Sequence, residues 1–223
     1  MIAIVDYNTG NLRSVENAVR ALGHSYTVTD NHSVIRAASH VLLPGVGEAS
    51  KAMEELRRRG LDSLIPSLTQ PVLGICIGLQ LMCLSSEEGD ARCMGIFPTA
   101  VRRFRPAPGL KIPHMGWNTI EEPVTVSPQT MEQQNAPEGV TYPATSEGSP
   151  LSSPIFKGVP AGSFVYFVHS FAPEPCEGMI AVTSYGGRSF ASAISRDNFY
   201  GTQFHPEKSG SVGRQILANF LSL

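Results

Sequence analysis

Two short stretches hold residues whose types and spacing suit nucleophilic catalysis. In Val72-Leu73-Gly74-Ile75-Cys76-Ile77-Gly78-Leu79-Gln80, a cysteine is flanked at two residues on each side by glycine. An apolar run leads in and a helix-compatible run leads out, so Cys76 falls on a sharp strand-to-helix turn. Glycine at 74 and 78 removes side chains that would crowd such a bend. The turn lifts the sulfur out of the sheet and sets it at a helix N-terminus, where the dipole favours thiolate over thiol. Taken alone, the same stretch also reads as an ordinary buried core cysteine.

The second stretch is Thr202-Gln203-Phe204-His205-Pro206-Glu207-Lys208-Ser209. A residue before proline is pushed into extended backbone. In an extended segment, residues two apart point the same way, which aims His205 and Glu207 at one site. Cysteine, histidine and carboxylate are the parts of a nucleophile, a base and the group that orients the base. Acyl transfer also needs donors for a tetrahedral oxyanion. The backbone N–H of Ile77, just after the nucleophile, is one candidate. Pro44-Gly45-Val46-Gly47 offers a second, through Val46 or Gly47, although it also reads as a plain glycine turn before a helix. Gln80 lies one helical turn past Cys76 and is placed to hydrogen-bond a polar substrate tail.

These residues need elements to hold them. Ile2 to Val5 is a continuous apolar run, as expected of a strand covered on both faces. A helix follows, with Leu12, Val15, Val19 and Leu22 on one stripe and Gly23 as its stop. Tyr26 to Thr29 reads as a strand, Ser33 to Ala38 as a short helix, and His40 to Leu43 as a strand. A helix is expected from Glu48 to Arg59, stopped by Gly60, then the strand Val72 to Ile75 and a helix from Gly78 to Leu84. This alternation predicts an α/β fold with an open, mostly parallel central sheet flanked by helices. Ligand sites in such sheets lie at the carboxyl ends of strands, where Pro44–Gly47 and Cys76 both fall. The second half adds β-like segments, consistent with extra antiparallel strands: Ile96 to Phe104, Trp117 to Ile120, Phe164 to Phe167, Met179 to Ser184, Phe190 to Ile194 and Phe199 to Phe204. A helix from Gly210 or Ser211 to Leu221 closes the chain. Residues 121–154, rich in Pro, Ser, Thr, Gln and Glu, read as a surface insertion.

Composition narrows the function class. The 223 residues suit a single domain spanning 1–223, with 42% hydrophobic and 16% charged residues. A net charge of −2 gives no general electrostatic case for nucleic acid or an anionic membrane. Arg102, Arg103 and Arg105 read as a solvated strand end. The start of the chain shows no signal h-region and no apolar run approaches a membrane span, which predicts a cytoplasmic protein, or an organellar one after processing. Four cysteines, at 76, 83, 93 and 176, form no CxxC and no paired spacing, so neither a disulfide framework nor a metal site is expected. No cofactor is called for.

Gly74-Ile75-Cys76-Ile77-Gly78-Leu79-Gln80-Leu81 together with His205-Pro206-Glu207 resembles the class I triad glutamine amidotransferases, which share a flavodoxin-like glutaminase fold. Further stretches resemble the glutaminase subunits of imidazole glycerol phosphate synthase: Asp6 to Leu12, Leu43 to Gly47, Lys111 to Asn118, Tyr166 to Ser170 and Gly201 to Gly210. Three departures stand out: Glu48-Ala49-Ser50 after the glycines, Phe171 where tyrosine is common, and a long 121–154 excursion. The resemblance implies that Cys76 attacks the side-chain amide of L-glutamine while His205, oriented by Glu207, moves protons. It implies that Gly47, Gln80, His169 and Ser170 line the glutamine site, the last two largely through backbone. It implies a heterodimer with a (β/α)8-barrel cyclase subunit that receives the ammonia in histidine biosynthesis, with Asn11, Trp117, Tyr166 and Lys208 at or near the interface. Three other readings remain at this stage. They are a glutaminase of another class I amidotransferase, a stand-alone cysteine hydrolase, and a catalytically silent binding subunit.

Overall fold

The computed structural model describes residues 1–8, 12–124, 142–143 and 151–223. Its first half follows the expected alternation. Strand β1 (Ile2–Val5) leads to helix α1 (Arg13–Ala21), strand β2 (Tyr26–Thr29), helix α2 (His32–Ala37) and strand β3 (His40–Gly45). Helix α3 (Ala49–Arg58) and the single turn α4 (Leu61–Leu64) come next, then strand β4 (Val72–Cys76) and helix α5 (Ile77–Met82). Strands β1 and β4 and most of β3 are buried along their length, as expected of strands covered on both faces. Helix α1 turns Val15 and Val19 inward and ends before Gly23, whose φ of +80° suits the left-handed stop.

Short strands β5 (Ser85–Ser86), β6 (Ala91–Arg92) and β7 (Ala100–Arg103) open the second half, followed by the long β8 (His114–Ile120). The pair β9 (Pro123–Val124) and β10 (Tyr142–Pro143) flanks residues 125–141, which with 144–150 lie outside the described residues and take most of the 121–154 insertion with them. Strands β11 (Ser163–His169), β12 (Phe171–Pro173), β13 (Met179–Tyr185), β14 (Arg188–Arg196) and β15 (Phe199–Thr202) precede the closing helix α6 (Gly210–Phe220).

The main sheet has seven strands in the order β13-β14-β15-β4-β3-β1-β2. Strands β15, β4, β3, β1 and β2 run parallel, and the β13–β14 hairpin extends the β15 edge in antiparallel fashion. Two smaller layers pack against the β13–β14 end of this sheet: the sheet β12-β7-β5-β6, through β12 on β14, and the antiparallel pair β8–β11, through β8 on β13. Within the described residues no helix is long and apolar enough to cross a membrane.

Local sequence cues were overridden in three places. Only Ala100–Arg103 of the expected strand Ile96 to Phe104 is a strand, because the N–H groups of Ile96 and Phe97 both donate to Met82 O at the end of α5. Helix α5 stops at Met82 instead of Leu84, since Cys83 is extended and Leu84 pairs with Thr99 and Cys93. Strand β15 ends at Thr202; Gln203 keeps one bond to Ser192 O on β14, and His205 then turns to β11. The three arginines behave as expected of a solvated strand end, with Arg102 and Arg105 both paired to Glu87.

The register places Gly45 beside Cys76 and Ile75 beside Thr202, so three chain segments emerge together from the same sheet edge. Helix α5 can follow β4 this abruptly because Gly78 lies against β3. A Cβ on Gly78 would sit 1.8 Å from Leu43 O, and one on Gly74 would sit 2.7 Å from the backbone at Gly78 and Leu79. Neither obstruction is a movable side-chain tip. Gly78→Ala is therefore expected to lower the urea unfolding free energy by about 3 kcal/mol or more, the upper end for overpacking. An unchanged unfolding midpoint would mean that α5 can move off β3 at no cost.

Candidate active site

Cys76 closes β4 and caps α5 with φ 54° and ψ −108°, a backbone conformation that L-residues with side chains rarely adopt. Such geometry costs on the order of 1–3 kcal/mol and persists only when the surroundings over-determine it. Here the two glycine contacts and the flanking parallel strands do so. The thiol is nearly buried, donates to Val168 O at 3.9 Å and accepts from Gln203 Nε2 at 3.6 Å.

His205 has the extended backbone expected before proline, with φ −96° and ψ 96°. The expectation of a continuous extended segment fails one residue later. Pro206–Lys208 is a 3-10 turn, because proline's fixed φ suits the first position of a helical turn. The outcome survives by another route, since the turn folds Glu207 back onto the imidazole. His205 Nδ1 meets Glu207 Oε1 at 2.8 Å, and both side chains are only 4% exposed. Nδ1 therefore donates to the carboxylate, and Nε2 is the nitrogen free to exchange a proton. Nε2 is buried with no hydrogen-bond partner among the described residues. Burial opposes charging of this ring, but Cys76 and Glu207 outweigh it and raise its pKa to about 10. The turn is tied to β11: His205 N–H donates to Tyr166 O at 2.9 Å, Tyr166 N–H to Ser209 Oγ at 3.0 Å, and Ser209 Oγ to His205 O at 2.7 Å.

Cys76 and His205 open into one cavity of about 350 Å3. The oxyanion candidates Val46, Gly47 and Ile77 line it, as do the substrate candidates Gln80, His169 and Ser170. Gly47 adopts φ +101°, which glycine tolerates without strain. Gln80 does face the site, but as part of its wall. Its Nε2 donates to Phe171 O and to Gln203 Oε1, each at 3.0 Å, leaving a buried Oε1 with no partner among the described residues. The unusual Phe171 is used through its backbone carbonyl, which also accepts from His169 Nδ1 at 2.8 Å.

Beneath the cavity runs a polar chain that the sequence did not reveal. His169 Nδ1 must carry a proton to donate to Phe171 O, so its Nε2 accepts from His114 Nδ1 at 3.0 Å. His114 Nε2 then accepts from Asn118 Nδ2 at 3.3 Å. Each ring donates once and accepts once, so the pair is held neutral. Burial pushes the pKa of His114 down to about 4 and that of His169 down to about 3, against the hydrogen bond to Phe171 O that favours the charged ring. Strands β8 and β11 place the two rings directly opposite each other. A lone His114 in sequence gives no sign of this partner.

Glu88 was also missed. Its carboxylate lines the cavity, accepts from the Ala49 N–H at 2.9 Å, and has its pKa raised by burial. An acidic pair after a helix is too common a pattern to single out. Of the interface candidates, Trp117 is 55% exposed and packs edge-to-face on Tyr166 at 6.0 Å, while Lys208 is exposed beside the cavity. Met115 and Phe164 are exposed on the same outer face of the β8–β11 pair. Asn11 lies outside the described residues.

Residues 3–223 match the family model described as glutamine amidotransferase class-I. The imidazole glycerol phosphate synthase subunit HisH of Bacteroides fragilis is 46% identical over 223 residues, covering 100% of this chain and 99% of its own length. The protein of the same name from Shewanella sediminis is 42% identical over 225 residues, covering 99% and 89%. Among solved structures, a putative GMP synthase protein from Thermoplasma acidophilum superposes with a TM-score of 0.67 at 20% identity, covering 99% of this chain and 92% of that one. PurLQS from Thermotoga maritima gives 0.65 at 14% identity, covering 99% and 97%. At these identities the structural likenesses bear on the fold alone.

The histidines make stability depend on pH in two opposite senses. His114 and His169 have depressed pKa values, so their contribution is present above about 6.5. It is lost as pH falls toward their folded values of about 4 and about 3. His205 has a raised pKa, so its contribution is complete below about 6.5 and is lost as pH rises through about 10. Thermal melts across pH are expected to show an alkaline limb of at most about 1.4 kcal/mol per pH unit that His205→Asn flattens. The same variant should leave the acid limb in place. An alkaline limb unchanged in His205→Asn would show that His205 is not charged in the folded protein.

Proposed function

The chain belongs to the class-I glutamine amidotransferase family, and from that premise we propose that it is the glutaminase subunit of an imidazole glycerol phosphate synthase, acting in histidine biosynthesis through Cys76, His205 and Glu207. The observation that carries this reading is the strained Cys76 turn sharing a cavity with a His205–Glu207 pair at 2.8 Å. The full-length likeness to subunits of that synthase supports the pathway.

Cys76 Sγ passes its proton to His205 Nε2 and attacks the side-chain carbonyl carbon of L-glutamine. Glu207 holds the imidazolium that results. The tetrahedral oxyanion is received by the N–H of Ile77 and by that of Gly47 or Val46. As the carbon–nitrogen bond breaks, His205 protonates the leaving nitrogen and ammonia departs, leaving a glutamyl thioester. Water, deprotonated by His205, then attacks the thioester, and glutamate leaves as Cys76 is restored. Gln80, His169 and Ser170 hold the amino-acid end, the last two through backbone. The α-ammonium of glutamine falls to Glu88, which brings a half-buried carboxylate to the cavity.

The ammonia goes to the cyclase partner, which is a (β/α)8 barrel in the resembling complexes. Lys208, which lines the cavity, and Trp117 and Tyr166, on the outer face of the β8–β11 pair, form part of the docking face, and the resemblance adds Asn11 to it. The protein acts in the cytoplasm as one domain with a surface insertion, and needs no cofactor.

A stand-alone cysteine hydrolase would use the same triad without a partner. Ammonia release from glutamine, measured with the chain alone and with the cyclase plus its nucleotide, separates the two. Stimulation of at least about 10-fold is expected, within the usual range of coupling between sites. Equal turnover in both would sink the partnered reading. In the same complex, Cys76→Ser should abolish glutamine-dependent synthesis and leave synthesis from added ammonia intact. Glu88→Gln should raise the KM for glutamine by about 10- to 100-fold, the worth of a lost charged hydrogen bond, with kcat within about 3-fold. An unaltered KM would remove Glu88 from the ammonium site.

A further inference from the structure

The sulfur of Cys76 has a neighbour that the triad does not account for. Gln203 is fully buried two residues before the catalytic histidine, and its Nε2 lies 3.6 Å from Cys76 Sγ. The orientation of this amide is imposed from behind. Its Oε1 accepts from Gln80 Nε2 at 3.0 Å, so the nitrogen end must face the sulfur. Gln80 cannot reverse its own amide without losing the bond to Phe171 O, also at 3.0 Å. The backbone is fixed as well, with Gln203 N–H donating to Ser192 O at 2.8 Å on β14. A side-chain amide at van der Waals distance from sulfur would be unremarkable on a surface. Fully buried, with its other end held by a second buried amide, it is a built donor.

We propose that Gln203 is a catalytic residue of the glutaminase reaction, its side-chain N–H hydrogen-bonding the Cys76 sulfur and stabilising the thiolate both before attack and when it leaves. The proposal rests on the glutaminase reading above and adds a fourth group to its site. A hydrogen bond donated to an acceptor favours the acceptor's charged form, and more so where water is excluded. Before attack, the Cys76 proton moves to His205 Nε2 and the N–H of Gln203 faces the new anion. A stabilised thiolate is a somewhat weaker nucleophile, but reactivity falls by only about half as much, in logarithmic terms, as the thiolate fraction rises. In the second half-reaction water attacks the thioester carbon, the carbon–sulfur bond breaks, and its electron pair returns to Sγ. Gln203 again faces the charge as it appears, and the proton held by His205 restores the thiol.

The test reads the sulfur directly and needs no glutamine. Iodoacetamide alkylation of Cys76 in the full chain is followed against pH by mass spectrometry, with Cys76→Ser as the control for Cys83, Cys93 and Cys176. Gln203→Leu removes the donor at similar volume, and Gln203→Glu puts an acceptor in its place. Both should move the alkylation midpoint upward by at least about one pH unit, which is about 10-fold slower modification at pH 7. With the cyclase and its nucleotide, kcat should fall by a similar factor while the KM for glutamine stays within about 3-fold. Folded variants with the wild-type alkylation profile would overturn the assignment. Should both variants fail to fold, the Gln203 side-chain amide resonance of the wild-type protein must shift as Cys76 titrates, and a stationary resonance would overturn it equally. A shifted alkylation profile in a chain that yields no ammonia from glutamine, with or without cyclase, would leave the hydrogen bond standing and overturn the choice of substrate instead.

Discussion

The site depends on the contact between Gly78 and the carbonyl of Leu43. Where α5 leaves β4, its backbone passes so close to β3 that even a methyl group has no room. That closeness forces Cys76 into its unusual backbone conformation and keeps it there, with the sulfur turned away from the sheet. It also brings the end of β3, and hence the Val46–Gly47 segment, into the same cavity as the sulfur. Parallel pairing of β4 with β15 on its other side delivers the chain that carries Gln203 and His205. Cys76, the oxyanion candidates and His205 therefore arrive from three adjacent strand ends, and one backbone approach sets their spacing.

The second layer has a different task. The β8–β11 pair turns one face inward and the other out, and the two faces have opposite chemistry. Inward lie His114, His169, Phe167 and Val165, in a stack of rings that includes Phe104 and Phe190. Outward lie Met115, Trp117, Phe164 and Tyr166. The neutral histidine pair makes this layer rigid where it meets the cavity, because each ring's tautomer is fixed by the next. The carbonyl of Phe171 gathers both Gln80 and His169. The wall of the cavity is thus continuous through hydrogen bonds from Asn118 on β8 to the sulfur of Cys76, by way of His114, His169, Phe171, Gln80 and Gln203.

The sharp turn at Cys76 and the extended backbone of His205 were legible in the sequence because their constraints are local. Glycines two residues either side of a cysteine act within one turn of chain, and a proline after histidine restricts that histidine alone. The same locality explains why the strands β1 to β4, their helices and the parallel sheet could be read from apolar runs and stops. It also explains one error that did no harm. The histidine was rightly extended, but the proline that made it so also began a 3-10 turn, and this turn, not strand alternation, carried Glu207 to the ring.

What the sequence could not decide was anything set by two distant segments meeting. Glu88 reaches the cavity only because the loop after α5 folds against the start of α3. His114 and His169 become a neutral pair only through the register of β8 on β11, and neither residue carries a mark of the other. Trp117 could have been core, and its exposure follows from which face of that pair the inner layer covers. Gln203 sat in plain view beside His205, yet its meaning came from Gln80, more than a hundred residues away, which fixes which end of the amide faces the sulfur. Local sterics wrote the Cys76 turn, the extended His205 and the sheet into the sequence; long-range register and burial alone decided which polar groups surround them and in which protonation state, because those properties belong to pairs of residues that only folding brings together.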